Sequence, residues 1–148
     1  MKSERGQTAI ELLLIVGAII LIAINIYPSI RSNKELNQGV TAARDGATYA
    51  ANILGMGFTE SGTGITQPNK TIQIVGMDYY KGTEVGGLTP ITITFEIKGT
   101  SDTAVGQAIA DQSLKFIYKA FNGNYEISAS ATSVVSENYD FSVDYTFV

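Results

Sequence analysis

The chain of 148 residues contains no cysteine and no histidine. The first absence excludes disulfides, Cys-ligated zinc and thiol chemistry together, and says nothing of the redox compartment. The second removes the commonest general base and the commonest metal ligand. An enzyme built on this sequence would have to work with carboxylates, Lys, Tyr or Ser. Charge is also scarce: 16% of residues are Asp, Glu, Lys or Arg, and the net charge is −4. No basic cluster occurs beyond the N-terminus, so a nucleic-acid partner lacks its electrostatic footprint. At 45% hydrophobic residues the chain is too apolar to be disordered, and its length suggests one domain with accessories. After residue 57, Ser, Thr, Gly, Asn and Tyr are plentiful while Lys and Arg are sparse, a composition suited to β-rich surfaces outside the cell.

Residues 1–6 read Met-Lys-Ser-Glu-Arg-Gly, and residues 12–24 are apolar or Gly without exception. Asn25 interrupts, Ile26 and Tyr27 follow, and Pro28 closes the run. A spanning helix needs about 20 apolar residues, a length reached when residues 8–10 and 26–27 are included. Lys2 and Arg5 predict that the start lies on the cytoplasmic side. An ordinary secretory signal would place small residues in an A-x-A pattern after the apolar core, and residues 22–28 lack one. A plain anchor leaves Glu11 unexplained, because a carboxylate costs about 2.5–3.5 kcal/mol at the centre of a spanning helix and less near its end. Cleavage between Gly6 and Gln7 would supply a partner. It releases the Gln7 amine, a group of pKa about 7.7–8.0, four residues before Glu11 on one helix face. Within one chain that amine sits over its own first turn. Between two staggered helices the amine of one meets Glu11 of the next, hiding both charges and setting axial register as buried polar residues do in coiled coils. Cyclisation of Gln7 to pyroglutamate would remove the amine charge and leave Glu11 to find hydrogen-bond donors or a proton.

The stretch Gly6-Gln7-Thr8-Ala9-Ile10-Glu11-Leu12-Leu13-Leu14-Ile15 resembles the class III signal peptide of archaeal type IV pilin-like proteins, whose pattern is Gln-x-Ser-x-Glu-x-x-x-Leu with cleavage just before the Gln. Gln7 and Glu11 match; Ala9 stands for the Ser and Ile15 for the Leu. Pro28 falls where type IV pilins commonly carry a helix-bending proline. The resemblance covers roughly the first 30 residues. It implies processing by a membrane-embedded prepilin peptidase, a precursor held in the membrane, and assembly with other copies by an ATP-driven pilus assembly machinery.

Beyond Pro28 the chain turns polar, and then Leu36, Val40, Ala43, Ala47, Ala50 or Ala51 and Leu54 recur at spacings of three and four, an amphipathic helix with a narrow small-residue stripe. Gly55 and Gly57 predict its end, and Pro28 predicts a bend rather than a stop. One helix over about residues 8–54 would be about 70 Å long. Its first half, apolar all round, wants lipid or other helices on every side; its second half should pack on its own head. Gly17 and Ala18 offer small spots for helix approach. In the head, residues 57–69 read as a loop, 71–77 as a strand, 78–90 as an irregular connection, and 91–98 (ITITFEIK) as the clearest strand. Asp102 caps a short helix or turn over 103–112, followed by a strand over 113–121, a hairpin turn at Asn122-Gly123, a strand over 125–135 and a last strand over 139–148. The expected fold class is α+β: a long N-terminal helix packed by its C-terminal half on an antiparallel sheet, a pilin-like arrangement. The predicted segments are a leader over 1–6, an apolar membrane or filament-core helix over 7–28, its amphipathic continuation over 29–56, and a β-rich head over 57–148.

Chemistry-bearing motifs are few. Asn69-Lys70-Thr71 is the only N-x-Ser/Thr sequon and is a candidate N-glycosylation site at a loop-to-strand boundary. Asp140, Asp144 and Glu137 suggest a cation site, but strand spacing sets the two Asp residues too far apart for a compact cage. Gly86-Gly87 lacks a phosphate-loop or dinucleotide pattern. Tyr79-Tyr80 and the C-terminal tyrosines suit core, inter-subunit or adhesive roles, and no nucleophile–base pair stands out. The expectation is a non-enzymatic structural subunit of a type IV pilus-like adhesive surface filament, without cofactor, metal or nucleic acid. The alternative is a membrane-anchored extracellular binding protein or a minor pilin outside the filament body. An enzyme has the least support.

Overall fold

The computed structural model describes residues 2–58, 71–128 and 130–148, with side chains from residue 10 onward. The chain divides into two compact units, Met1–Lys34 and Glu35–Val148. Helix α1 (Lys2–Gly55) supplies the described part of the first and opens the second. The elements β1 (Gln73–Lys81), β2 (Thr89–Lys98), α2 (Thr103–Asn122), β3 (Ser133–Val135) and β4 (Tyr139–Phe147) follow.

The second unit is α+β, with helices on a four-stranded sheet of order β1-β2-β4-β3. The expected alternation of β2 holds: Ile91, Ile93, Phe95 and Ile97 are buried. They cluster with Phe141, with Ile109, Leu114 and Ile117 of α2, and with Ala43, Ala47, Ala50 and Ala51 of α1. Each large apolar side chain fully withdrawn from water contributes about 1.5–3 kcal/mol. The small stripe of α1 permits close approach. A Cβ placed on Gly46 would lie 2.8 Å from the Ser113 Cα, and Gly39 lies under the Phe141 ring. Gln38 adds a tie, its Nε2 donating to the Ala120 carbonyl at 2.6 Å.

The expected antiparallel sheet is instead mixed: β2 and β4 run parallel, while β1–β2 and β3–β4 are antiparallel. The cause is α2. Residues 113–121, expected to form a strand, continue the helix through residue 122. Asp102 caps it as expected, accepting from the Ala104 N–H at 2.9 Å. The helical spacing Gly106, Ile109, Ala110, Ser113, Leu114, Ile117 is buried along one face, and this burial overrides the β preference of Phe116, Ile117 and Tyr118. With a helix where a strand was expected, the chain re-enters the sheet in the same direction as β2. Asn122-Gly123 accordingly ends a helix rather than turning a hairpin. Gly123 takes the left-handed conformation (φ 80°), and its N–H donates to the Lys119 carbonyl. Among the described residues of the expected strand over 125–135, only Ser133–Val135 is a strand, so the described residues hold four strands rather than five. In the stretch expected to be irregular, β1 continues to Lys81 and β2 begins at Thr89.

Candidate functional site

The N-terminal unit carries most of the residues singled out in the sequence. Gly6 and Gln7 both lie inside α1, so the expected leader boundary coincides with no break in the helix. From Ile10 to Ile30, fourteen large apolar side chains are exposed, Leu13 to 74%. At about 1.5–3 kcal/mol for each on burial, their combined exposure outweighs the 5–15 kcal/mol that stabilises an ordinary domain. An exposed apolar surface of this extent is of the kind that marks a protein or membrane contact. By length and composition α1 is long and apolar enough to cross a membrane.

Glu11 stands at the start of this run. Leu14 and Ile15 are its neighbours one turn on, and its side chain is exposed. Among the described residues it has neither an ion pair nor a hydrogen bond. Helix α1 continues through Pro28. Pro28 has no N–H to donate to the Ile24 carbonyl. One turn earlier, Asn25 donates its side-chain amide to the Leu21 carbonyl at 2.7 Å, which ties a polar side chain to the backbone of an otherwise apolar stretch.

In the head, Asp140 and Asp144 lie on one face of β4, opposite Pro90 and Thr94, four residues and about 13 Å apart. Asp144 accepts from the Tyr145 N–H at 2.8 Å. The Asp140 Oδ1 is buried without a hydrogen-bond partner among the described residues. No group of three or more acidic side chains among those residues could hold a metal ion. Asn69 lies outside the described residues. Tyr79 and Tyr80 are exposed, not core.

Sequence reasoning missed Glu35. Its carboxylate accepts from the Asn138 side-chain amide at 2.6 Å and from the Asn138 N–H at 3.1 Å, which clamps the β3–β4 turn to α1. Burial pushes its pKa up. Hydrogen bonds from Ser136, from the Asn138 side chain and from the backbone of Asn138 and Glu137 outweigh burial and hold it below the ordinary glutamate value. The partners are 103 residues apart, so no local pattern announces them. A second missed feature is a cavity of about 690 Å³ beside the last turns of α1, lined by Tyr49, Ile53, Phe58, Leu114, Lys115 and Ile127 among others. Tyr49, Phe116 and Tyr125 form an aromatic row at its edge, with ring centroids 5.6 and 5.4 Å apart.

No protein-family model, no characterised protein and no solved structure matches this chain.

Proposed function

We propose that this chain is the structural subunit of an archaeal type IV pilus-like surface filament used for adhesion, made as a membrane-embedded precursor and cut between Gly6 and Gln7. The observation that carries the proposal is Glu11, a carboxylate on a helix surface that is otherwise apolar. Membrane anchoring alone accounts for the apolar residues and not for the carboxylate. Assembly accounts for both: neighbouring helices cover the apolar surface, and the amine of a staggered Gln7 answers Glu11. We assign no catalytic residue. The required partners are further copies of the chain, a prepilin peptidase and an assembly machinery.

Mass spectrometry of the mature chain, taken with electron microscopy of sheared surface filaments, tests this. The expected first residue is Gln7, free or cyclised, in a protein recovered from filaments. An intact Met1, or a start beyond residue 27, refutes the processing step. In the same system Glu11→Ala is expected to be cut normally and to assemble poorly; normal filaments from that variant refute the role given to the carboxylate.

A further inference from the structure

The cavity beside the last turns of α1 is built by the close approach of two helices. Gly46 lets α1 reach the Ser113 backbone of α2. About one turn further along each helix stand Tyr49 and Phe116, and their ring centroids meet at 5.6 Å. Beyond the left-handed Gly123 that ends α2, Tyr125 sets its ring edge to face against Phe116 at 5.4 Å. Lys119 Nζ donates to the Tyr125 hydroxyl at 2.8 Å and holds that ring in place.

Tyr49 and Tyr125 both line the cavity and remain 48% and 44% exposed, so neither is spent on the core. Gln112 lines it beside them and is half-buried. Among the described residues neither the Gln112 amide nor the Tyr49 hydroxyl has a hydrogen-bond partner. Asp111 adds a carboxylate to the lining, its Oδ1 accepting from Gln107 Nε2 at 2.8 Å. Ile53, Leu54 and Ile127 supply an apolar wall. A volume of about 690 Å³ falls within the range of about 300–1,000 Å³ usual for small-molecule sites, which pair apolar and aromatic walls with a few polar groups.

We propose that this cavity binds a neutral saccharide. A sugar ring has an apolar C–H face and a rim of hydroxyls, each of them both donor and acceptor. The face suits the rings of Tyr49 and Tyr125, which offer rigid apolar area with a polar tip. The rim suits the Gln112 amide, which donates and accepts, the Tyr49 hydroxyl and the Asp111 carboxylate. An alkyl chain or an apolar peptide would instead cover that amide and carboxylate without answering them, which costs binding energy. The site gives the heads of the fibre a glycan to grip. That adhesive role rests on the subunit reading above, whereas the binding itself is a property of the single chain.

Titration calorimetry on the full-length chain in a detergent without sugar tests the site, with chitotriose, cellotriose, maltotriose and mannotriose as saccharide probes and trileucine as the apolar one. At least one trisaccharide is expected to bind at one site per chain, and trileucine is expected not to. Tyr49→Ala should weaken that binding at least about tenfold, as loss of an aromatic anchor does, and Gln112→Leu about fivefold or more. Tyr80→Ala, at a position 72% exposed on β1 and absent from the cavity lining, should leave it unchanged. The head melting temperature of each variant separates lost binding from lost folding, and Tyr49→Phe, which keeps the ring and removes only the hydroxyl, should lose less than Tyr49→Ala. Heat from none of the four saccharides, heat from trileucine alone, or equal binding by wild type and a folded Tyr49→Ala overturns the site and leaves the subunit reading standing. Saccharide binding by a chain that forms no filaments in cells overturns the subunit reading and leaves the site.

Discussion

Gly46 offers the sharpest test of how the head is built. Alanine in place of glycine inside a helix ordinarily stabilises it by about 1 kcal/mol. Here the added Cβ would lie 2.8 Å from the Ser113 Cα, 2.9 Å from the Gln112 carbonyl oxygen and 3.0 Å from the Phe116 Cβ. The first two are backbone atoms of α2, so no side-chain rotation relieves them and the two helices must separate. The Phe141 ring against Gly39 and the Gln38–Ala120 hydrogen bond pin the same helix in place. Overpacking of a well-filled core costs about 1–3 kcal/mol, and contact with fixed backbone puts this site at the upper end. Gly46→Ala should therefore destabilise the head by a net amount of about 2 kcal/mol. For a unit of this size that lowers the melting temperature by about 8 °C. Full-length protein in detergent, melted while the tyrosine signals of the head are followed, gives the measurement. Gly17→Ala is the control, since a Cβ there meets nothing within 4 Å, and the head should melt as in the wild type. An unchanged or raised melting temperature for Gly46→Ala would refute the claim that glycine is required by close helix approach.

Two further expectations follow from hydrogen bonds. The Glu35 carboxyl has a lowered pKa in the folded head, so its contribution is fully present above the ordinary glutamate pKa and is lost as pH falls through the lowered value. Glu35→Gln should accordingly melt below the wild type at neutral pH, by about 1 kcal/mol or less because the group is half-exposed, and the gap should close in acid; a gap independent of pH would contradict the clamp. Asp102→Ala removes the cap from the Ala104 N–H and should cost about 1 kcal/mol, or about 4 °C in the same melt; no change would show that the cap is not needed to start α2.

The elements legible in the sequence were those whose burial pattern is local. Ile91, Ile93, Phe95 and Ile97 alternate cleanly because one face of β2 meets the helices. The Ala stripe of α1 recurs at helical spacing, and Asp102 announces a helix start. The misread region, residues 113–135, contains residues compatible with both periods: Leu114, Phe116 and Tyr118 alternate, while Ile109, Ala110, Ser113, Leu114 and Ile117 fall at helical spacing. The helix prevails because it is already nucleated at Asp102, contains no Pro, and has no Gly between Gly106 and its end at Asn122, so extending it adds a backbone hydrogen bond per residue without a new nucleus. The parallel pairing of β2 with β4 then follows from that one error. The Glu35–Asn138 clamp and the α1-side cavity were invisible for another reason: both depend on segments far apart in sequence meeting in space.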